Sequence, residues 1–319
     1  MKGSMKKWLI RAAGSALVLG LLFWFLPWRA IVEGFARVPL GLMPWVIALF
    51  MLGHVVAAAK WWMLLGRGLP FILALQAHFA GLAANLCLPG AAGGDAVRAG
   101  LAHVAMRDGP RMTAGSVADR MIDTLGLALL SVIGLVLLKG QGGNAGVAVQ
   151  AVAFVLVVTA GVMLAFPGIV ARVWGIWPKL PGRGIAMKVA DAFGGLGRKP
   201  LVLISALFIS MAVQVLFIYL AVQLAQAVGV QVPMAAWLFA WPLAKIIAVL
   251  PISLGGLGVR EASLAALLVP FGADAAQVVA SGLVWQAVLY VSGAIGAVVL
   301  AISGDGFGPS RWNREFVNG

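Results

Sequence analysis

One ten-residue pattern, P-x-x-x-G-G-x-x-V-R, occurs twice in this chain, as Pro89–Arg98 and as Pro251–Arg260. The two copies start 162 residues apart (251 − 89) in a chain of 319 residues. Both lie in very apolar sequence, where proline, paired glycines and arginine are all costly. Because proline and adjacent glycines interrupt a helix, each copy predicts a helix break at membrane depth. Matching breaks in two halves of a chain are typical of a transporter's substrate site.

The composition indicates an integral membrane protein. Hydrophobic residues make up 62% of the chain, charged residues make up 10%, and the mean hydropathy is +1.03. A soluble domain needs more charge than this to cover its surface. The single cysteine, Cys87, excludes a disulfide framework and a multi-cysteine metal site. A net charge of +13 is compatible with nucleic acid binding, but the placement of the basic residues favours orientation in a membrane, so we expect no nucleic acid partner.

Six apolar stretches are long enough to span a bilayer, and two others carry the repeated pattern near their middle. The latter, 71–106 and 235–270, each predict two half-helices joined by the pattern, hence a re-entrant hairpin; the alternative is two full helices in each stretch. Each half has only about 10–17 residues, which is short for about 30 Å of hydrocarbon, so re-entry is favoured. The expected fold is all-α, a polytopic membrane protein with about six full transmembrane helices and two re-entrant helical hairpins. The six full segments lie near 8–26, 44–65, 117–138, 147–166, 202–227 and 275–303.

The basic residues predict the orientation of these segments. Six full crossings place both termini on one side, and most lysines and arginines then fall on that side, which the positive-inside rule makes cytoplasmic. The first segment is expected to be an uncleaved anchor. Three full crossings separate the two hairpins, and because three is odd, the hairpins enter from opposite faces. The repeat is therefore expected to be inverted, with the two Gly-Gly tips meeting near the bilayer midplane.

We expect one transmembrane domain over residues 1–319. Its first half, 1–166, contains the hairpin 71–106, and its second half, 201–319, contains the hairpin 235–270. A basic cytoplasmic loop, 167–200, connects the halves and has room for a short interfacial helix near 185–193.

Arg98 and Arg260 lead the candidate site residues. Each follows a Gly-Gly pair and is expected within about the first turn of the returning half-helix, where backbone N–H groups are unpaired. A guanidinium beside such a helix end suits phosphate or carboxylate. The alternative is that each arginine pairs with a buried acid and locks its hairpin. The glycines expected to let a ligand approach the backbone are Gly93, Gly94, Gly255 and Gly256.

Four acidic residues are candidate partners for these arginines. Asp95 and Arg98 are spaced i and i+3, so they can bridge on one helical face. Asp119 and Asp123 are spaced i and i+4 near the predicted start of a spanning helix, with Arg120 between them. Paired carboxylates there could bind a cation, carry protons or contact a cationic head group. Complementation of the helix dipole and bridges to nearby arginines is the alternative. The four acids are Asp95, Asp119, Asp123 and Glu261.

Two lysines lie inside apolar segments. Lys245, deep in the second hairpin, is the stronger site candidate, whereas Lys60, near a helix end, is expected to extend its amine towards the membrane surface. Asn85 is expected to satisfy backbone groups freed by the first break. Histidines 54, 78 and 103 show no ligand spacing, and we expect no metal site, cofactor or catalytic triad.

The motifs Pro89-x3-Gly93-Gly94-Asp95-x2-Arg98, Asp119-Arg120-x2-Asp123 and Pro251-x3-Gly255-Gly256-Leu257-Gly258-Val259-Arg260-Glu261 resemble the lysylphosphatidylglycerol synthase transmembrane-region family, also known as flippase-like domain proteins. The resemblance spans about residues 80–265, and its last motif is the most specific. It implies a polytopic fold that moves a lipid across the bacterial inner membrane. We expect a stand-alone member without an aminoacyl-transferase domain, so aminoacyl-lipid synthesis is not implied.

These observations together predict a lipid flippase rather than an enzyme. Its substrate is expected to be a membrane lipid with an anionic or zwitterionic head group, moved downhill or by ion coupling, since no nucleotide-binding motif occurs. The alternatives are an intramembrane enzyme that acts on a lipid phosphate through Asp119 and Asp123, and a scaffold that docks partners on its basic loop. The lipid and the oligomeric state are left open. The predicted substrate-binding residues are Arg98, Arg260, Gly93, Gly94, Gly255, Gly256, Asp95, Glu261, Asp119, Asp123, Arg120 and Lys245.

Overall fold

A computed structural model describes residues 36–87, 92–139, 165–177, 182–248 and 258–302, together with positions 153, 157 and 161. These residues form α-helices, short turns and one 3-10 turn, and none of them lies in a strand. The helices are α1 (Leu42–Leu64), α2 (Phe71–Cys87), α3 (Ala92–Met106), α4 (Gly109–Lys139), α5 (Ala165–Ile176), α6 (Arg183–Gly197), α7 (Pro200–Val228), α8 (Met234–Ile247), α9 (Val259–Leu268) and α10 (Ala275–Ile302).

Four of the described helices, α1, α4, α7 and α10, are long and apolar enough to cross a membrane. They correspond to four of the predicted full crossings, which confirms the all-α polytopic membrane fold. Helix α4 begins at Gly109 rather than near 117, because Asp108 accepts the backbone N–H of Arg111 at 3.1 Å and so caps an additional polar stretch of helix. The predicted crossing 8–26 and nearly all of 147–166 lie outside the described residues.

Each stretch that carries the repeated pattern folds as two short helices packed against each other. Helices α2 and α3 have 17 and 15 residues, and α8 and α9 have 14 and 10. At 1.5 Å per residue even the longest is about 26 Å, less than the hydrocarbon thickness of about 30 Å. The prediction of paired short helices is confirmed, and re-entry into the membrane stays a prediction. The connections 88–91 and 249–257 lie outside the described residues, and with them Gly255 and Gly256.

Glycines of the first hairpin hold α2 and α3 close together. A Cβ atom added to Gly81 would lie 2.8 Å from the carbonyl oxygen of Gly94. The backbone N–H of Gly94 donates to Oδ1 of Asn85 at 2.9 Å, so Asn85 has the role predicted for it. Because α3 begins at Ala92, Gly93 and Gly94 lie in its first turn rather than in the break. The N–H of Gly94 is therefore occupied by Asn85, and the approach of a ligand to this glycine stays a prediction.

Helices α1–α4 and helices α7–α10, here the first and second halves, pack in the same way. Helix α2 packs on α10 just as α8 packs on α4, and α3 lies on α4 just as α9 lies on α10. Helices α1 and α7 pack on each other. Each extensive contact among these eight helices thus has a counterpart when the two halves are exchanged, as expected for a repeated unit.

Two glycines in equivalent positions, Gly134 of α4 and Gly296 of α10, explain the close packing of the short helices. They are 162 residues apart (296 − 134), the same separation as the two patterns. A Cβ atom at Gly134 would lie 2.7 Å from the carbonyl oxygen of Ala235 in α8. One at Gly296 would lie 2.6 Å from that of Phe79 in α2. In each half, a glycine of the long helix therefore lets a short helix of the other half pack closely against it.

Valine at Gly134 should separate α4 from α8, because the neighbouring atoms are backbone and cannot turn aside. We expect a loss of about 1–3 kcal/mol in the free energy of unfolding, measured in detergent. The control is Gly100→Ala in α3, where an added Cβ has nothing within 4 Å. That change should be neutral or stabilising by up to about 1 kcal/mol. Equal effects of the two substitutions would contradict this account of the interface.

The segment 167–200 contains more helix than predicted. Helix α6 covers Arg183–Gly197, longer than the expected 185–193, and α5 precedes it. Val189 and Phe193 of α6 are buried against Ala114 and Ala118 of α4. One face of α6 is therefore fixed to the bundle, so this basic segment is not a free loop.

A buried ionic cluster as the candidate functional site

Lys60 of α1 lies at the centre of a group of charged side chains inside the bundle. It is only 2% exposed, and its Nζ is 3.0 Å from Oδ1 of Asp119, in ionic contact without hydrogen-bond geometry. The same amine bonds the carboxylate of Asp123. The expectation that Lys60 extends to the membrane surface was therefore wrong. Two carboxylates spaced i and i+4 on α4 face this amine. Pairing with both of them stabilises the buried ammonium, so the side chain does not extend to the surface.

Arg98 of α3 joins the same group from the other side of Asp119. Its Nη2 donates to Oδ2 of Asp119 at 2.9 Å, and it lies 3.5 Å from Oδ1 of Asp95. The guanidinium also stacks on Trp61, with Cζ 4.4 Å from the ring centroid. The predicted bridge between Asp95 and Arg98 is confirmed. Arg98 lies in the second turn of α3 rather than the first, because α3 already starts at Ala92.

Two histidines extend the group towards the middle of the bundle. Nη1 of Arg98 lies 3.4 Å from Nδ1 of His78, and Nε2 of His78 lies 3.0 Å from Nδ1 of His54. A guanidinium only donates, so Nδ1 of His78 accepts, and Nε2 then carries the hydrogen that it donates to His54. We assign the tautomers on this basis. Sequence reasoning missed the pair, because residues 24 positions apart on different helices share no spacing signal.

Polar side chains at the edge complete the arrangement. Arg120 bonds Asp95 from a position where its side chain is 55% exposed, and Ser210 of α7 donates to Oδ1 of Asp123 at 2.5 Å. We refer to the charged residues as the ionic cluster. It balances three cations against three carboxylates: Lys60, Arg98, Arg120, Asp95, Asp119 and Asp123.

Lys245 of α8 is a cation beside this cluster that lacks an acidic partner. Its Nζ donates to Oε1 of Gln214 at 3.0 Å, and no carboxylate of the described residues lies within 4.0 Å of it. Gln214 lies one turn beyond Ser210 on α7, which places Lys245 near the ionic cluster. Among the described residues, the ionic cluster and Lys245 together carry an excess of one positive charge.

Arg260 of α9 forms a separate, smaller site in the second half. Its Nε is 2.9 Å from Oε1 of Glu261, which is fully buried. Oε2 of Glu261 accepts the N–H of Gly258 at 2.7 Å and so caps the start of α9. Arg260 also donates to Oε1 of Gln286 on α10 at 3.2 Å. Here the arginine is held by a buried acid, which was the alternative raised for it.

The two halves share their packing but not their chemistry. The positions equivalent to Lys60, Asp119 and Asp123 are occupied in the second half by Val222, Ser281 and Trp285. Trp285 instead packs edge-on against Phe50, with ring centroids 5.3 Å apart, and Phe50 contacts His54 at 4.5 Å. Where the first half has the carboxylate of Asp123, α10 thus carries an aromatic side chain that contacts α1. The symmetric pair of arginine sites expected from the repeat does not occur among these residues.

The ionic cluster can exchange partners but is not arranged to hold a metal. The described residues contain no group of three or more histidine, cysteine and acidic side chains that could bind one. Arg98 is already engaged by Asp119, His78 and Trp61, so an incoming anion would have to displace one of them. Lys245, by contrast, has no carboxylate of the described residues within 4.0 Å.

The fold and this site define a class: an all-α polytopic membrane protein with charged side chains buried among its membrane-length helices. The family model described as lysylphosphatidylglycerol synthase TM region matches residues 8–296, and the chain belongs to this family. The match includes both copies of the repeated pattern and the whole ionic cluster. No curated protein sequence matches the chain. Family membership makes this a lipid-related membrane protein.

Proposed function

We propose that this protein moves a lipid with an anionic or zwitterionic head group between the leaflets of the bacterial cytoplasmic membrane. The observation that supports this most is the ionic cluster, buried among helices that a membrane surrounds. Charged side chains inside membrane segments are costly and usually mark the path of a polar substrate. A lipid head group is the polar substrate that a lipid-related family would bring there.

The packing of α1 on α7 supports an inverted repeat. Leu64, at the end of α1, packs with Ala206, near the start of α7. Phe50, earlier on α1, contacts Phe217, later on α7, at 4.6 Å between ring centroids. These equivalent helices therefore run in opposite directions. Inverted repeats are suited to alternating access around a site near the midplane.

The charge distribution supports a cytoplasmic position for the end of the bundle where α1 stops and α4 and α7 start. Exposed basic residues of α4, of α6 and of the connections that follow α1 and α6 gather there, and positive charge is characteristic of the cytoplasmic side. With that end inside, the N- and C-termini are cytoplasmic, as six full crossings require. The basic residues are Arg67, Arg111, Arg183, Lys188 and Lys199.

In this proposal the head-group phosphate meets Lys245 first. Opening of either hairpin would then let the phosphate compete with Asp119 for Arg98, while a cationic head-group part could take the place of Arg120 on Asp95. Each exchange replaces one ion pair by another, so neither step leaves an additional charge unpaired. No nucleotide-binding motif occurs in the sequence, which fits downhill or ion-coupled transport.

An enzymatic role for Asp119 and Asp123 is less well supported. Both carboxylates contact Lys60, and Asp119 also accepts from Arg98, so neither is free to serve as a nucleophile or base. We therefore propose that the protein is not an enzyme. A scaffold role resting on segment 167–200 has no comparable support, since the buried face of α6 is taken by α4.

The proposal is tested by lipid translocation in proteoliposomes. The purified protein should accelerate the transfer of fluorescent phosphatidylglycerol from the inner to the outer leaflet, followed by quenching with dithionite. Arg98→Gln should slow this transfer at least about tenfold, because one lost charged hydrogen bond is worth about 1.5–3 kcal/mol. Wild-type rates no faster than those of empty vesicles, for both anionic and zwitterionic lipids, would refute the proposal.

Two controls separate transport from other outcomes. Arg198→Gln removes an exposed arginine between α6 and α7 and should leave the rate unchanged. Mass spectrometry of the lipids after incubation should find no new product. Turnover of the lipid into a modified form would favour the enzymatic alternative.

A further inference from the structure

A cavity separate from the ionic cluster opens at the end of the bundle where α1 stops and α7 starts. It has a volume of about 250 Å³ and lies between α1, α4, α6 and α7. We refer to it as the helix-end cavity. Three of its lining residues are basic, and none of them is acidic: the basic ones are Arg67, Arg111 and Lys199. This unbalanced positive charge is the first sign of an anion site.

Two of the three basic side chains are held in place by their neighbours. Nη2 of Arg111 donates to the carbonyl oxygen of Gly66 at 2.7 Å, in the turn that follows α1. Cζ of Arg67 lies 5.2 Å from the centroid of the Trp62 ring. Each guanidinium thus has a fixed position with several N–H groups left over. Such pre-organisation lowers the entropic cost of binding an anion.

The rest of the lining is apolar and reaches into the bundle. Leu64 of α1, Leu196 of α6 and Val202 of α7 contribute side chains to the wall. Membrane-length helices end or begin at this level, with α1 ending at Leu64 and α7 beginning at Pro200. This is the depth at which phospholipid head groups meet acyl chains. A site that is basic on one side and apolar on the other fits an amphiphile better than a free ion.

We infer that the helix-end cavity binds the phosphate of an anionic phospholipid, with an acyl chain along Leu196 and Val202. The helix dipoles neither favour nor disfavour an anion in the cavity. The C-terminal end of α1 carries partial negative charge, the N-terminal end of α7 carries partial positive charge, and both adjoin the cavity. The selectivity comes from the three side chains. Free phosphate shares the head-group chemistry but makes no use of the apolar wall.

The experiment is photo-crosslinking of the purified full-length protein with a phosphatidylglycerol that carries a diazirine on one acyl chain. Peptide mapping should place the label near Leu196 or Val202. The double variant Arg67→Gln/Lys199→Gln should raise the lipid concentration for half-maximal labelling by about 25-fold, from about fivefold per basic residue. Ala192→Phe, which fills the cavity without changing its charge, should also reduce the labelling.

The control removes two basic residues of α6 that do not line the cavity. Arg183→Gln/Lys188→Gln should change half-maximal labelling by less than about twofold if the site is specific. An equal loss in both double variants would show general attraction to a basic surface and would overturn the inference. So would equal labelling by phosphatidylcholine, or full competition by inorganic phosphate. None of these outcomes depends on whether the protein translocates lipid.

Discussion

Replacing Asp119 with alanine should lower the free energy of unfolding by about 3–5 kcal/mol, the cost of leaving a buried charge without its partner. Asp119 is 1% exposed and faces both Lys60 and Arg98. Its removal leaves two buried cations with Asp123 and Asp95, whose carboxylates already bond Ser210 and Arg120. Denaturant titration in detergent, or thermal unfolding followed by tryptophan fluorescence, measures the effect.

A charge-balanced double variant separates stability from function. Lys60→Met/Asp123→Leu removes one cation and one anion, and it leaves the Arg98–Asp119 pair intact. Well-packed apolar replacements of a buried pair are often neutral or stabilising, so this variant should be within about 1 kcal/mol of wild type. Lys60→Met alone should be clearly less stable than the double variant. If the single and double variants are equally unstable, charge pairing is not what holds α1 on α4.

Replacing Lys245 with methionine should reduce the translocation of phosphatidylglycerol at least about tenfold without lowering stability. Lys245 contacts Gln214 but no carboxylate of the described residues, so its removal leaves no buried anion unpaired. Methionine fills a similar volume, and the ammonium of Lys245 is only partly buried, so its removal should cost little stability. The loss of rate follows because a hydrogen bond between an anionic group and a partly buried cation is worth about 1.5–3 kcal/mol.

The matched control for this variant is Lys188→Met on the exposed side of α6. It removes the same charge from the surface, so any slowing there reports general attraction of anionic lipid. Unchanged transport in Lys245→Met would move the head-group site away from α8. A fall in both stability and rate would instead mean that Lys245 has a structural role.

The sequence predicted the repeated hairpins well because breaks in apolar sequence have few explanations. A proline followed by paired glycines marks a helix break that can be recognised from the sequence alone. Such breaks predict the short helices α2, α3, α8 and α9. The bridge between Asp95 and Arg98 was also predictable, since i and i+3 residues of one helix must be neighbours. Local rules are sufficient for such features.

Contacts between helices far apart in sequence were not predictable in the same way. Lys60 was expected near the surface because it lies beside Trp61 and Trp62 near a helix end. Its partners lie on α4, about 60 residues later in the chain. The two histidines were missed for the same reason. The repeat itself misled in one respect, since equal motifs suggested equal arginine sites, whereas Val222 and Trp285 replace charged residues in the second half.

The neutrality of the ionic cluster determines how the membrane voltage acts on this protein. A transmembrane potential does work of about 2.3 kcal/mol on each elementary charge moved through 100 mV. Three cations and three carboxylates that move together contribute almost nothing to that work. Within the polar interior of the described residues, the charge left to respond is that of Lys245, joined under the proposed function by the charge of the lipid. An anionic lipid that moved together with Lys245 would cancel the charge of that lysine, and their joint movement would require almost no electrical work.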